Sequence, residues 1–310
     1  TWGCGWRPRA LRKKGRTMTS DVRERPDVAE LEELARRARV AIVKAIAHAG
    51  GGHLGGPLSA TDMLTALYWR VMNIRPDEPV WPGRDRFVLS KGHSSIALYA
   101  VMALRGYFPL DELNTFDSID SRLQGHPDMT ALPGIDMSSG SLGLGFSGAV
   151  GIALGAGATR ADFTTYVMLG DGECNEGIVW EGAHVASRYG LDNLIAIVDH
   201  NRLQQFGWRG ESASDRMSPY ANSELVDRWR AFGWHVFEVD GHDISAFLEV
   251  NDSAQEADGP VAIIAHTVKG KGVSYMENAY EWHSKVPDDD QLAIALIELG
   301  ETEAEGGTGH

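Results

Sequence analysis

Residues 164–201 constrain the fold most, because they contain two short apolar runs joined by one helical stretch. Residues 164–169 are rich in apolar and β-branched side chains, which is typical of a strand buried on both faces of a parallel sheet. Residues 193–198 repeat that pattern, and a helix is predicted to begin between them, near Cys174. Two strands joined by a helical crossover are expected to lie parallel in one sheet.

Polar residues follow both predicted strands where each one ends. The first strand runs into Gly170-Asp171-Gly172, and the second ends shortly before Asn201. Glycine lets the backbone approach a ligand closely, and a helix that starts there points unpaired N–H groups at an anion. A lone Gly-Asp-Gly is more often a simple turn. We nevertheless predict that Asp171 and Asn201 meet at the carboxyl edge of the sheet, where their oxygens suit Mg²⁺ or Ca²⁺ holding a diphosphate.

The rest of the chain alternates between helical and strand patterns. Helical periodicity is found at residues 27–49, 59–71, 94–104, 110–116, 142–158, 223–232 and 244–250. Further strand patterns are found at residues 86–90, 234–239 and 261–266. This alternation predicts an α/β fold with a doubly wound, mostly parallel sheet flanked by helices.

The predicted domain covers residues 27–300. Residues 1–17 carry six basic side chains and no acidic one, so we interpret residues 1–26 as a disordered or non-native basic tail. Residues 301–310 are expected to form a flexible C-terminal tail. Cys4 and Cys174 provide neither a disulfide framework nor a zinc-binding spacing, and Cys174 is expected to pack in the interior.

Composition excludes two classes of partner. A formal charge of −14 disfavours nucleic acid, because most of the surface would repel a phosphate backbone. No apolar run approaches the roughly 20 residues that a membrane helix needs, and the first residues lack the apolar centre of a secretory signal. We therefore expect a protein with no membrane segment and a cytoplasmic location.

Residues 143–148 match the dinucleotide-binding pattern GxGxxG. The residues before them do not read as a buried strand, which the dinucleotide-binding unit requires. A turn that enters a closely packed helix explains these glycines better than a nicotinamide or flavin site.

Four histidines occur in glycine-rich or loop settings, namely His53, His93, His126 and His283. A single histidine of this kind is usually a loop residue bonded to the backbone. Their spacing excludes a HExxH zinc helix, and neither Cys4 nor Cys174 is spaced to complete a zinc site with them. Neutral imidazoles suit proton transfer and hydrogen bonding to polyhydroxylated substrates near neutral pH.

Five motifs, taken in order over residues 30–290, resemble the N-terminal, diphosphate-binding domain of the transketolase family of thiamine-diphosphate enzymes. They read GGHLGGPLSATDMLTALY, DRFVLSKGHSSIALYAVMALRGYF, LQGHPDMTALPGIDMSSGSLGLGFSGAVGIALG, GDGECNEGIVWEGAHVASRYGLDNLIAIVDHNRLQQFG and KGKGVSYMENAYEWHSKVP. The resemblance implies the same fold class that the periodicity predicts, and it implies a specific diphosphate, that of thiamine.

The resemblance also implies a cofactor site. The metal, Mg²⁺ or Ca²⁺, would be held by the Asp171 and Asn201 side chains and the Leu203 main-chain carbonyl. The residues placed at the cofactor are His93, Gly140, Ser141, Leu142, Gly143, Asp171, Gly172, Glu173, Asn201 and His283. Two positions depart from the family pattern: Ser141 stands where proline is usual, and His200 stands where asparagine or aspartate is common.

The residues that the resemblance places in catalysis are His53, His93, His126, His283, Glu176 and Glu181. His53 and His126 match substrate-facing histidines that would bind a ketose hydroxyl or carbonyl oxygen. Glu176 and Glu181 match carboxylates that link the two active sites of a dimer. Their spacing of five residues does not place them on one helix face, so the alternative is one interface carboxylate and one solvent-facing carboxylate.

The family's full-length members continue for as many residues again. The resemblance therefore implies the N-terminal subunit of a split transketolase that works with a second polypeptide, the C-terminal subunit with the pyrimidine-binding and C-terminal domains. We expect an α₂β₂ tetramer. It would transfer a two-carbon glycolaldehyde unit from a ketose or ketose phosphate to an aldose or aldose phosphate.

The sequence leaves three alternatives open. A 1-deoxyxylulose-phosphate synthase shares the Gly-His-Leu-Gly and Trp-His motifs, although the motifs around His93 and His126 favour transketolase. The α subunit of a 2-oxo-acid dehydrogenase or decarboxylase shares the Gly-Asp-Gly motif but should lack the four histidines. A catalytically silent binding module would not need intact metal residues and histidines.

Overall fold

The computed structural model describes residues 25–205 and 222–301, which build one five-stranded sheet with helices on both faces. The strands are β1 (Arg86–Leu89), β2 (Thr165–Gly170), β3 (Leu194–His200), β4 (His235–Asp240) and β5 (Val261–His266). All neighbours pair in parallel, in the order β1-β2-β3-β5-β4. The predicted fold class is confirmed. Residues 1–24 and 302–310, which include most of both predicted tails, lie outside the described residues.

Helices cover the sheet in two groups. The described helices are α1 (Val28–Ala49), α2 (Gly55–Ala66), α3 (Ser95–Arg105), α4 (Leu144–Thr159), α5 (Gly177–Tyr189), α6 (Asn222–Ala231), α7 (Ile244–Gln255) and α8 (Asp289–Glu298). One apolar cluster joins α1, α2, α3, α7 and α8 to one face of the sheet, and a second joins α4, α5 and α6 to the other. Along β2, Tyr166 and Met168 enter the first cluster, whereas Val167 and Leu169 enter the second. Burial on both faces explains the uninterrupted apolar run of this strand.

Local signals set the ends of α1. It begins at a capping box between Asp27 and Glu30 and ends before Gly50, whose φ of 66° lies in the left-handed region that favours glycine. The chain then turns into the Gly52-His53 segment, which precedes α2. In the part of the chain that the structure describes, no helix combines the length and the apolar character needed to cross a lipid bilayer.

Several element boundaries differ from the predicted ones. The helix predicted near Cys174 is instead a short 3₁₀ turn, Glu173–Asn175, and α5 starts only at Gly177 because Glu176 between them has an extended backbone. Residues 110–116, predicted as a helix, form a 3₁₀ turn, and α2 begins four residues earlier than predicted, at Gly55. The periodicity also missed α8, although its capping box, Asp288 with Gln291, is visible in the sequence.

Candidate active site

Strands β2 and β3 bring Asp171 and Asn201 to the same edge of the sheet, as the sequence predicted. The Asp171 carboxylate accepts hydrogen bonds from the main-chain N–H of Arg202 at 2.7 Å and of Gly172 at 2.8 Å. The Asn201 side-chain oxygen accepts from the main-chain N–H of Leu203 at 3.1 Å. The bond between Arg202 and Asp171 joins the turns after the two strands, and both polar side chains are buried.

The Asp171 carboxyl group lies in an environment that disfavours its charge. Burial, together with the nearby Asp199 carboxylate, raises the pKa of Asp171 to about 6. A cation at this edge would compensate that cost, and carboxylate, amide and carbonyl oxygens are ligands that Mg²⁺ and Ca²⁺ prefer. Within residues 25–205 and 222–301, no three His, Cys, Asp or Glu side chains are grouped so that they could hold a metal.

Lys269 lies beside this edge, and sequence analysis did not identify it. Its Nζ donates a hydrogen bond to the Leu203 carbonyl oxygen at 3.1 Å and lies 2.8 Å from Nδ1 of His283. Burial lowers the pKa of Lys269 to about 8, against the opposing effect of the Asp171 charge. A buried ammonium group that contacts a predicted metal ligand and a predicted diphosphate ligand is well placed to bind a phosphate group.

A buried ion pair lies beneath the edge. The Asp199 carboxylate accepts hydrogen bonds from Lys91 Nζ, from Thr267 Oγ1 and, at 2.6 Å, from Ser59 Oγ. Burial would raise the pKa of Asp199, but the charge of Lys91 and these hydrogen bonds outweigh it and keep the pKa below its ordinary value. Asp199 and its three donors thereby connect α2, the segment after β1 and the segment after β5 to the end of β3. These contacts hold the end of β3 in place, directly before Asn201.

Three of the four predicted histidines form one cluster. The ring centroids of His53, His93 and His283 are each 5.1 Å from the other two. Burial lowers the pKa of all three rings, aided by the charge of Lys91 at His93 and of Lys269 at His283, where the pKa falls to about 3. The three imidazoles are therefore neutral near pH 7, and each can donate one hydrogen bond and accept another.

The fourth histidine, His126, is exposed and lies next to the predicted cofactor wall. A Cβ atom added to Gly140 would lie 3.5 Å from the His126 ring. Gly140 in turn packs closely against Gly92, which precedes His93 of the cluster, because a Cβ atom on Gly92 would lie 3.0 Å from the Gly140 nitrogen. The hydroxyl of Tyr99 donates to the carbonyl oxygens of Gln124 and His126, at 3.1 and 3.4 Å, and so holds the His126 loop on α3.

The predicted cofactor wall, residues 140–143, precedes α4. Ser141 and Leu142 are exposed, whereas Gly143 is buried with a φ of 82°. The predicted contact between Glu173 and the cofactor is not supported by the geometry. The Glu173 carboxylate is turned into the protein, where it accepts hydrogen bonds from Ser90, Gly143 and Gly170.

Glu176 and Glu181 are both exposed at the start of α5. Glu176 precedes the first helical residue and Glu181 lies in the second turn, so the two carboxylates occupy different faces. Their role in linking two active sites needs a second copy of the chain and stays a prediction.

Comparison with known proteins gives the fold and site a family. The family model for the transketolase, thiamine diphosphate binding domain matches residues 31–305. The chain belongs to the transketolase family. It is 42% identical over 271 residues to the 6-deoxy-6-sulfo-D-fructose transketolase subunit SqwG of Clostridium sp., covering 87% of this chain and 96% of that subunit. It is 41% identical over 275 residues to one subunit of the apulose-4-phosphate transketolase of Phocaeicola vulgatus, covering 88% and 95%.

Longer members of the transketolase family match over part of their length. The transketolase of Homo sapiens is 39% identical over 279 residues, which are 88% of this chain and 43% of that protein. Among solved structures, transketolase of Pichia stipitis in complex with sedoheptulose-7-phosphate has a TM-score of 0.81 at 30% identity, covering 90% of this chain and 42% of that chain. This chain therefore spans less than half of these longer transketolases and nearly all of the two subunits.

Some residues of the site are evident from the sequence motifs, and others only from the structure. The transketolase motifs identified Asp171, Asn201, Leu203 and the four histidines, and the structure brings these together at one edge. Lys91 and Lys269 lay inside the same motifs, in Ser-Lys-Gly-His and Lys-Gly-Lys-Gly, and received no role. Each of these lysines precedes a glycine shortly after a predicted strand. This pattern could have indicated a phosphate-binding edge from the sequence alone.

Proposed function

We propose that this chain is the N-terminal, cofactor-binding subunit of a two-polypeptide transketolase, which moves a two-carbon glycolaldehyde unit from a ketose or ketose phosphate to an aldose or aldose phosphate. One observation carries the proposal. Lys269 connects the turn that carries Asp171, Asn201 and Leu203 to the three-histidine cluster, in a chain that covers 95–96% of two relatives named as transketolase subunits.

The residues present fit thiamine diphosphate with a divalent metal. Asp171, Asn201 and the Leu203 carbonyl would hold Mg²⁺ or Ca²⁺, which needs the diphosphate oxygens to complete its coordination. The diphosphate ligands would be Gly172, His93, His283 and Lys269. Residues 140–143 would line the rings. When bound, thiamine diphosphate supplies the nucleophile and electron sink that break and form carbon–carbon bonds next to a carbonyl group.

The histidines would handle the sugar. His53, in the cluster, and His126, beside Gly140 of the cofactor wall, would orient the hydroxyl and carbonyl oxygens of a ketose. Because burial lowers the pKa of the rings in the cluster, they stay neutral and suit hydrogen bonding to the oxygens of a sugar and of a diphosphate better than holding a proton. The exposed position of His126 gives it access to a substrate that enters from outside.

A second polypeptide is part of the proposal, and α4 supports it. This helix is apolar on all sides, yet its outer side is exposed at Leu144, Gly151 and Gly155. A helix of this kind is normally covered by protein. We propose that a second copy of this chain, together with a C-terminal transketolase subunit, covers it in an α₂β₂ assembly, and that Glu176 and Glu181 lie at that interface.

Reconstitution tests the proposed function. The purified chain is assayed alone and with a C-terminal transketolase subunit from the same organism, with Mg²⁺, thiamine diphosphate and a ketose donor. We expect glycolaldehyde transfer only from the mixture. Ordinary turnover by the chain alone would contradict the two-polypeptide proposal. A mixture that binds the cofactor but neither cleaves nor transfers any sugar would instead favour a silent binding module.

Substitution of His126 tests the sugar-handling role. We expect His126→Asn to lower kcat/KM of the reconstituted enzyme by about 100-fold, because an asparagine cannot shuttle a proton. The affinity for thiamine diphosphate should stay within about twofold, because the exposed ring contacts the sugar side of the site. His235→Asn is the matched control and should leave both values unchanged. His235 is an exposed histidine on β4 that pairs with Asp258. Equal losses in turnover and cofactor affinity would contradict the assignment.

The lowered pKa of Lys269 gives a pH-dependent prediction. The ammonium is charged below its pKa of about 8 and becomes neutral above it. An anionic diphosphate should therefore bind more weakly as the pH rises, by about tenfold between about pH 7 and about pH 9. In Lys269→Arg the charge persists over this range, and the affinity should be nearly constant. Isothermal titration calorimetry at fixed Mg²⁺ measures both proteins, and parallel pH profiles would rule out a role for Lys269.

A further inference from the structure

We infer that Glu173 and Ser90 form a clasp that holds the diphosphate turn and the cofactor wall at a fixed distance from each other. The diphosphate turn is residues 170–172, and the cofactor wall is residues 140–143. The inference rests on the proposed function for what these two segments bind. The clasp itself rests on contacts within the chain.

One buried carboxylate connects the two segments directly. Glu173 Oε1 accepts a hydrogen bond from the main-chain N–H of Gly143 at 2.8 Å, and Oε2 accepts from the main-chain N–H of Gly170 at 3.2 Å. The Glu173 residue is only 2% exposed. Each oxygen therefore holds a different segment, and a group with two equivalent acceptor oxygens is needed to hold both.

Ser90 extends the clasp to the first turn of α4. Its hydroxyl donates to Glu173 Oε1 and accepts from the main-chain N–H of Phe146 at 2.8 Å. Ser90 directly follows β1, so the clasp joins the ends of β1 and β2 to the start of α4. One of the N–H groups that a helix start leaves without an intrahelical partner is satisfied in this way.

Close packing also restricts the position of the cofactor wall, in addition to the hydrogen bonds of the clasp. A Cβ atom on Gly145 would lie 2.6 Å from Cα of Ser90, and one on Gly143 would lie 2.4 Å from Cγ2 of Ile178. Both glycines are therefore required for the approach of α4 to β1 and α5. Burial of the carboxylate is unfavourable and raises the pKa of Glu173 against the effect of its hydrogen bonds. A buried carboxylate that serves only packing could be replaced by an apolar side chain, whereas an acceptor for two segments could not.

The clasp gives Glu173 a positioning role instead of a contact with the cofactor. In the proposed function, the turn holds the diphosphate end and the wall holds the ring end of the same molecule. A ligand that touches both ends depends on the distance between the two segments. A ligand that touches only the turn does not.

Amide hydrogen exchange of the full-length chain without cofactor tests the clasp itself. In Glu173→Gln, a single amide oxygen cannot accept from both segments, so the amide of Gly143 or of Gly170 should exchange about tenfold faster. In Ser90→Ala, the amide of Phe146 should become faster by a similar factor. Glu249→Gln, on the outer side of α7, is the matched control. Unchanged exchange at Gly143 and Gly170 in Glu173→Gln would overturn the clasp, whatever the function of the chain.

Two probes test its role in binding. Pyrophosphate with Mg²⁺ would occupy only the diphosphate end of the site, which includes the turn, whereas thiamine diphosphate with Mg²⁺ would also reach the wall. Glu173→Gln should weaken binding of thiamine diphosphate by about tenfold and change that of pyrophosphate by less than about twofold. Equal weakening of both probes, or of neither, would overturn the positioning role. General destabilisation would not mimic the expected result, because both probes bind the same folded protein. If the wild-type chain binds thiamine diphosphate no more tightly than pyrophosphate, the proposed ring wall fails, and the exchange experiment still decides the clasp.

Discussion

Replacing Asp171 with asparagine is expected to lower the affinity for thiamine diphosphate in the presence of Mg²⁺ by at least about 100-fold, because the only carboxylate in the metal-binding oxygen set is lost. Asparagine keeps the size of the side chain and one acceptor oxygen but carries no charge. The diphosphate would then face Lys269 and the histidines without a metal to bridge it to the protein. Binding should no longer depend on the concentration of Mg²⁺, which is the specific signature of the lost ligand.

The same substitution at the opposite end of β2 provides the control. Asp162 is exposed and precedes the strand, so Asp162→Asn changes the charge of the protein equally without touching the site. Calorimetry at several Mg²⁺ concentrations and a thermal unfolding curve are recorded for both variants. The metal assignment would be wrong if Asp171→Asn retained Mg²⁺-dependent binding. A lowered unfolding temperature in that variant alone would show that the turn, and not only the ligand set, depends on the carboxylate.

The sheet could be predicted from sequence because its signal is local. Strands β2, β3 and β5 are short apolar runs whose alternating side chains enter the two clusters, and the helices between the strands require parallel pairing. Parallel pairing then places the residues after β2 and β3 at one edge, which is why the proximity of Asp171 and Asn201 followed from the pattern alone. The interior position expected for Cys174 also agrees with the structure, in which the residue is buried.

Other parts of the site depend on residues far apart in the chain. His53, His93 and His283 come from three segments, and only the assembled fold and the family resemblance bring them together. Nothing local marks Lys91 or Lys269 as buried, because a lysine in a glycine-rich loop is normally exposed. For Glu173, the sequence predicted a contact with the cofactor that the orientation of its side chain does not support. The family resemblance implied a cofactor contact for it, but donors from Ser90 and Gly143, 83 and 30 residues away, turn its carboxylate inward.

Removal of the buried ammonium beneath the site should have the largest effect on stability. We expect Lys91→Met to lower the free energy of unfolding by about 3–5 kcal/mol, because Asp199 would keep its charge in a fully buried position with only hydroxyl and amide donors. Lys271→Met is the matched control. Its ammonium is partly exposed and lies 3.8 Å from Glu277, so the loss should stay below about 1 kcal/mol.

A double-mutant cycle separates the pair from its surroundings. Asp199→Asn alone should also destabilise, because it leaves the Lys91 ammonium buried without a counter-charge. The double variant should cost less than the sum of the two single variants, since neither charge is then left alone. Urea unfolding near neutral pH measures all four proteins. In Lys91→Met the deficit should shrink as the pH falls, because the unpaired carboxylate, with a pKa raised by burial, takes up a proton in the folded state. The ion pair would not stabilise the end of β3 if the losses in the free energy of unfolding were additive and the loss in Lys91→Met did not change with pH. Water would then reach Asp199.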